Sequence, residues 1–271
     1  MTSCAKSDSI TLLKWPGGKR ALLNQILAFV PSTFNRYYEP FVGGGALFFT
    51  LQPKQAVLAD NNDELINCYK QVRDHPDAII AYLSKLRNTK EDYYVIRESI
   101  PSENAGRAAR FIYLMTLSFN GIHRVNLQGN FNVPYGYKEY LDPCDASKIL
   151  AVSACLSSVE LRHGDFESTS MDAKAGDFIY FDPPYTVAHG NNGFLKYNAR
   201  IFSWSDQIRL ATVAYDLAER GCRVLVSNAD HPSIQELYSC FKMHRISRSS
   251  AIAASGEYRR RVTECIFYNK E

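Results

Sequence analysis

Strong charge of either sign is the first thing this 271-residue chain lacks: 31 Lys and Arg stand against 28 Asp and Glu, a formal net charge of +3. So small an excess does not by itself mark a nucleic-acid partner, and the question passes to how the charge is distributed. No segment reaches about eighteen consecutive apolar residues, and no signal-like apolar run surrounds Lys6 and Asp8, so a soluble, cytoplasmic protein without membrane association is expected. The seven cysteines (Cys4, Cys68, Cys144, Cys155, Cys222, Cys240 and Cys265) are odd in number, scattered, and never spaced Cys-x-x-Cys. That pattern argues against a disulfide framework and a zinc site, and no metal is expected. Internal repeats and low-complexity tracts are also absent. The length suits one globular unit with an inserted module, or two small domains, and can bury a substantial core.

Strand-like runs at Tyr37 to Phe41, Val57 to Ala59, Val159 to Arg162, Phe178 to Phe181 and Arg223 to Ser227 alternate with helical patterns such as Trp204 to Arg220. This predicts an α/β fold with a largely parallel sheet. Closing strands are predicted at Phe241 to Ile246 and Val262 to Tyr268. Between about Asn61 and Leu150 the alternation gives way to helices at Asn62 to Arg73, Pro76 to Arg87 and Glu103 to Phe119, then to a glycine- and asparagine-rich hairpin. The stretch reads as an insertion, leaving 1–60 and 151–271 as one domain and 61–150 as another.

Three short motifs carry chemistry. Asp182-Pro183-Pro184-Tyr185 follows the apolar run Phe178 to Phe181, placing a carboxylate and an aromatic ring at a strand end. An exocyclic amine on a planar base is a poor nucleophile because its lone pair is delocalised into the ring. A carboxylate and a backbone carbonyl that accept its two N–H bonds return electron density to nitrogen, while the prolines stiffen the turn and Tyr185 offers a stacking face. Phe41-Val42-Gly43-Gly44-Gly45 precedes an apolar helical run and would let backbone approach a nucleotide-type ligand closely. Asp60 ends the next strand, near the offset at which a carboxylate meets ribose hydroxyls. Phe48 stands where the third glycine of a dinucleotide fingerprint would be, which counts against NAD. The third motif is Lys14-Trp15-Pro16-Gly17-Gly18-Lys19. A basic stretch from Lys242 to Val262, with Arg259, Arg260 and Arg261, reads as a flexible loop, either a solvated surface or a clamp on DNA phosphates.

In that order, Lys-Trp-Pro-Gly-Gly-Lys, Glu-Pro-Phe-Val-Gly-Gly-Gly-Ala and Asp-Pro-Pro-Tyr resemble the Dam-type DNA adenine-N6 methyltransferases, from about Leu13 to the C-terminus. The stretches Phe119 to Asn126 and Phe131 to Gly136 resemble that family's target-recognition hairpin. The resemblance implies a Rossmann-like methyltransferase fold with an inserted target-recognition domain, S-adenosylmethionine as cofactor, and double-stranded DNA as partner. Carried over by position, Trp15, Lys19, Phe41, Gly43, Asp60, Asp165, Phe166 and Asp182 would surround the cofactor, with Asp165-Phe166 at its adenine. Asp182, Pro183 and Tyr185 would be catalytic, acting on an adenine flipped out of the duplex. Lys14, Asn120, Ile122, Arg124, Asn126, Asn132 and Pro134 would contact DNA, with Arg124, Ile122, Pro134 and Lys14 reading GATC.

The sequence departs from the family after Gly136, where Tyr137-Lys138 follows directly and an arginine of many relatives is missing. The glycine- and asparagine-containing stretch Thr186 to Phe194 is also unlike them; it is read as a surface loop, and its His189 is given no role. Methylation of cytosine N4, of RNA or of a protein glutamine remains as an alternative, though cytosine enzymes more often have Ser, and glutamine enzymes Asn, at the position of Asp182. A non-catalytic DNA-binding module would be expected to lose Asp182 or the glycine loop. The expected state is a monomer, with a cognate restriction system left open.

Overall fold

The computed structural model describes residues 10–126, 128–186, 202–249 and 261–269. Its strands are β1 (Tyr37–Glu39), β2 (Ala56–Asp60), β3 (Val159–His163), β4 (Phe178–Phe181), β5 (Arg223–Ala229), β6 (Lys242–Ser249) and β7 (Arg261–Tyr268). The helices are α1 (Leu23–Ile26), α2 (Ala46–Leu51), α3 (Asp63–Asp74), α4 (Pro76–Leu83), α5 (Lys90–Glu98), α6 (Asn104–Leu117), α7 (Ala146–Leu156), α8 (Phe166–Ser170), α9 (Trp204–Glu219) and α10 (Pro232–Leu237). Among the described residues, no helix is long and apolar enough to cross a membrane. The chain divides into two compact units, one from the described residues of 1–20, 43–52 and 62–163, the other from those of 21–42, 53–61 and 164–271.

The second unit contains six strands in the order β2-β1-β4-β5-β7-β6. The pairs β1 with β2, β1 with β4, and β4 with β5 are parallel, while β7 runs antiparallel to both β5 and β6. Every residue of β4 is buried, as expected for a strand enclosed on both faces and read in the sequence as an unbroken apolar run. Leu210, Ala211, Ala214 and Leu217 of α9 pack into the same core as Ile179, Phe181, Val224, Val226 and Phe267. Helix α9 starts at a reciprocal cap: Ser203 Oγ accepts from Asp206 N at 3.2 Å, and Ser203 N donates to Asp206 Oδ2 at 2.8 Å. The mixed α/β architecture agrees with the expectation from the sequence.

The first unit is mainly helical, with α3, α4, α6 and α7 packed on one another. Tyr69, Val72, Ile79, Leu83, Tyr113 and Val152 are among its fully buried side chains. Asn62 Oδ1 caps α3 by accepting from Leu65 N at 3.1 Å, and Thr89 caps α5 by accepting from Asp92 N at 3.1 Å.

Several boundaries differ from those read in the sequence. Helix α4 stops at Leu83, because the bonds Lys85 N to Tyr82 O and Leu86 N to Leu83 O tighten the chain into turns. Helices α5 and α7 were not assigned from the sequence. The basic stretch is not a single loop from Lys242 to Val262: Lys242, Arg245 and Arg248 lie in β6 and Arg261 in β7, since the antiparallel pairing extends to Ser249 opposite Arg261. Arg259 and Arg260 lie outside the described residues, as does the stretch after Thr186 up to Ile201.

Candidate active site

In the second unit, the carboxyl ends of three adjacent parallel strands carry acids. β1 ends at Glu39, β2 ends at Asp60, and Asp182 follows β4 directly. Strand β1 lies between β2 and β4, the position at which an open α/β sheet changes winding direction and places ligands at its strand ends. Glu39 is only 3% exposed and accepts from the Tyr37 hydroxyl at 2.8 Å. The Tyr180 hydroxyl lies 2.7 Å from Ser227 Oγ. Tyr185 donates its hydroxyl to Glu264 Oε2 at 2.7 Å, and Glu264, opposite Ala229 in the β5/β7 pairing, is itself 2% exposed.

Burial raises the Tyr37, Tyr180 and Tyr185 hydroxyls well above the ordinary tyrosine pKa, and the charge of Asp182 adds to the shift in all three. Glu39 contributes more than Asp182 at Tyr37, and Glu264 more than Asp182 at Tyr185. All three phenols are thus held neutral, and those of Tyr37 and Tyr185 donate to carboxylates. The tetrapeptide backbone is anchored as well: Gln207 Nε2 donates to Pro184 O at 3.2 Å, and Asn228 Nδ2 donates to Gln207 Oε1 at 2.9 Å, with Gln207 and Asn228 both fully buried.

The sheet end also gathers Phe41, Asp60, Asp165 and Phe166. Gly164 N donates to Asp60 O at 3.1 Å, which sets the segment leading into α8 against the end of β2. Phe41 stacks on Phe166 with ring centroids 5.5 Å apart and meets Phe202 edge-on at the same separation. Asp165 caps α8 and takes a two-point contact from Arg209, at 2.6 and 2.8 Å. The Arg209 guanidinium lies 4.3 Å from the Phe166 ring centre, and its bonds to Asp165 raise its pKa.

In the first unit, Trp15 occupies a loop, and Gly43 (φ +45°) and Gly44 lie against it. A Cβ on Gly43 would come within 2.6 Å of Trp15 Cδ1, so the glycine is required by the indole itself. Gly43 O accepts from the Tyr69 hydroxyl at 2.8 Å, and Lys19 Nζ donates back to Gly17 O at 3.1 Å.

The segment from Ser118 to Tyr135 in the same unit is a hairpin with two isolated bridges among the described residues, Ser118 with Tyr135 and Val125 with Phe131. Arg124 is exposed and bonds to Asn132 through Nε to Oδ1 at 2.7 Å and through Nη2 to the backbone oxygen at 3.2 Å. Asn126 Oδ1 accepts from Gln128 N and Asn130 N, both at 2.9 Å, and so shapes the turn. Asn120 adopts φ +55°, Ile122 is half-buried and Pro134 exposed, and the Lys14 stem lies against Gly121. Lys138 turns inward, donating to Thr116 O at 3.0 Å, with its pKa lowered by burial and by the charge of Lys14.

The structure thus groups Asp182, Pro183, Tyr185, Phe41, Asp60, Asp165 and Phe166 in one unit, and Trp15, Lys19, Gly43 and the hairpin residues in the other. Sequence reading missed Glu264, Gln207, Asn228, Arg209 and His123. Glu264 had a signal, as a lone acid in the apolar strand Val262 to Tyr268. Gln207 and Asn228 had none, because nothing in a helix or strand pattern says that an amide will meet a loop carbonyl.

Comparison with known proteins agrees with this chemistry. A family model described as D12 class N6 adenine-specific DNA methyltransferase matches residues 15–252. The type II methyltransferase M1.LlaDCHI of Lactococcus lactis subsp. cremoris is 40% identical over 266 residues, covering 94% of each chain. M.MjaIII of Methanocaldococcus jannaschii, also a type II methyltransferase, is 35% identical and covers 92% of this chain and 94% of its own. The DNA adenine methylase of Escherichia coli K12 is 31% identical, covering 94% and 93%. On this match, and with an acid followed by Pro-Pro-Tyr at the end of β4, the chain belongs to the D12 class of N6 adenine-specific DNA methyltransferases.

Proposed function

We propose that the chain transfers a methyl group from S-adenosylmethionine to N6 of adenine in double-stranded DNA, within GATC, after the target base is flipped from the duplex. The observation that carries this reading is the Asp182–Tyr185 loop, with its carboxylate at a parallel strand end and its aromatic ring fixed by Glu264. The donor set fits the cofactor. Rings of Phe41, Phe166 and Phe202 suit an adenine, the Asp60 carboxylate suits ribose hydroxyls, and buried acids suit a cationic sulfonium. Trp15, Lys19 and Gly43 are read as holding its methionine end. When bound, the cofactor supplies an electrophilic methyl group.

The chain's own residues do the rest. Asp182 and the Pro183 carbonyl accept hydrogen bonds from the two N6 hydrogens, which draws the nitrogen lone pair out of conjugation; as the N–CH3 bond forms, one of these hydrogens leaves as a proton and the other stays on the methylated nitrogen. Tyr185 stacks on the extruded base and offsets part of the few kcal/mol that unstacking costs. Orientation of nucleophile and methyl can contribute about 7 to 11 kcal/mol in favourable cases. Residues 61–150 are read as the target-recognition domain and 1–60 with 151–271 as the catalytic one. Lys14, Asn120, Ile122, Arg124, Asn126, Asn132 and Pro134 read or support the target, and Arg259, Arg260 and Arg261 neutralise phosphates. The chain is read as a cytoplasmic monomer, and the type II names of two relatives support a cognate restriction enzyme.

The test is to incubate purified protein, S-adenosylmethionine and a GATC plasmid, then challenge with a nuclease that cuts only unmethylated GATC and map modified bases. Protection with N6-methyladenine at GATC is expected. Methylated adenine at other sites with GATC still cut would overturn the target, and N4-methylcytosine would overturn the base.

A further inference from the structure

His123 has no part in the mechanism above, yet it is enclosed by aromatic rings. It sits between Ile122 and Arg124 on the hairpin, and its imidazole stacks on Trp15 with centroids 5.4 Å apart and planes 17° apart. Phe111 of α6, at 5.5 Å, and Phe131 of the returning hairpin arm, at 5.9 Å, flank the same ring. Burial lowers the His123 pKa to about 4, so the ring stays neutral and the stack keeps one form at neutral pH. Trp15 in turn packs on Gly43, where a Cβ would come within 2.6 Å of the indole, and lies close to Gly44, where one would come within 3.2 Å, and Tyr69 pins Gly43 through its carbonyl. An unbroken line of packed groups therefore runs from the glycine loop through Trp15 and His123 to the residue beside Arg124. Close-packed groups of this kind transmit small displacements because they have little free volume to absorb them.

We propose that His123 is a positioning residue that couples the glycine loop to the recognition hairpin, so that cofactor occupancy changes DNA affinity and DNA changes cofactor affinity. The proposal rests on the reading of these two regions as cofactor-binding and DNA-binding. Such coupling must be reciprocal, with the same factor measured from either side.

The experiment uses the full chain carrying Trp204→Phe, which leaves Trp15 as the sole tryptophan of the two in the sequence. Affinity for a short GATC duplex is measured with and without S-adenosylhomocysteine, and Trp15 emission is followed as duplex is added. The native residue should give an affinity ratio in the ordinary range of such couplings, roughly 5- to 150-fold, and a change in Trp15 emission. In His123→Ala the ratio should collapse toward one and the emission change should vanish, while duplex affinity without cofactor stays within a few-fold. His123→Phe, which restores a ring, should recover both signals. Where the alanine variant does not fold, His123→Leu keeps volume without a stacking ring and should behave as alanine was expected to. A folded alanine or leucine variant with the native ratio overturns the proposal, as does a ratio of one in the native background. If the native chain binds neither ligand, the assignment of the two regions fails and the proposal with it; if it binds both without coupling, only the proposal fails.

Discussion

The Asp182–Tyr185 tetrapeptide and the hairpin that carries Arg124 are both irregular segments, yet they are held by opposite means. Asp182 to Tyr185 is fixed by partners with essentially no solvent exposure: Glu264 on the tyrosine hydroxyl, and Gln207 backed by Asn228 on the Pro184 carbonyl. The tip of the hairpin is exposed and closed by its own asparagines, through Asn126 on two backbone amides and Asn132 on Arg124. Bonds in a dry site are stiff and costly to leave unmade, whereas exposed ones exchange with water at little net cost. Chemistry that needs a nucleophile placed within a fraction of an ångström is built the first way. A surface proposed to exchange the Arg124–Asn132 bond for one to a base edge suits the second way.

The largest effect that could break this contrast is at Asp182. Asp182→Ala should lower the methyl-transfer rate by about 100- to 1,000-fold, the usual loss when one preorganised electrostatic partner is removed, with the melting temperature little changed. Near-native turnover in single-turnover assays would show that the loop's carboxylate is not the acceptor. Next in size is a pH effect inside the first unit. Folded His123 binds its proton less readily than the unfolded chain does, so below the ordinary histidine pKa of about 6.5 the unfolded state takes up more protons. Stability should therefore fall as pH drops from there toward the folded value of about 4, by an amount on the order of 3 kcal/mol. Above that window the contribution disappears. The slope should flatten in His123→Phe when urea melts are repeated at each pH.

Tyr185 sharpens the comparison because its hydroxyl is held by Glu264 while its ring is the part proposed to stack on the base. Tyr185→Ala should lose about 1 to 3 kcal/mol of base stacking, seen as a rise in KM or a weaker 2-aminopurine flipping signal. Tyr185→Phe should keep the stack but strip a donor from buried Glu264, destabilising the fold by about 1 to 3 kcal/mol. Equal activity losses from both would move the function from ring to hydroxyl. On the hairpin, Arg124→Ala should cost about 1 to 3 kcal/mol of discrimination at one guanine while binding to noncognate duplex persists; unchanged discrimination would remove Arg124 from target reading. The smallest effect is expected at Arg259, Arg260 and Arg261. Their joint replacement by Ala should reduce the slope of log affinity against log salt by about 0.9 for each phosphate that is no longer neutralised, equally for all sequences. An unchanged slope would return them to a solvated surface.

The strands were legible because burial on both faces writes itself as apolar runs: β4 was read to the residue, and β1, β2, β3 and β5 to within three. Helix α5 escaped because Lys90-Glu91-Asp92 looks like a polar connection until Thr89 is seen as its cap. The candidate site was legible where the chemistry is local in sequence, as in Asp182 to Tyr185. It was illegible where the supporting group arrives from afar. No periodicity in α9 distinguishes a glutamine that faces solvent from one that holds a loop carbonyl. The hairpin arginine could be named, but its bond to Asn132 depends on backbone geometry that sequence does not express. The glycine loop was read as room for a ligand, and the structure shows that part of that room is taken by Trp15.

The hydroxyl of Tyr185 finds its acceptor 79 residues further along the chain. During synthesis, then, the tetrapeptide leaves the ribosome well before β7, the strand that carries the acceptor of its tyrosine. Competence should arrive as a late step, once β7 inserts between β5 and β6. A nascent chain arrested before Glu264 would carry every residue of the motif and still leave DNA unmarked.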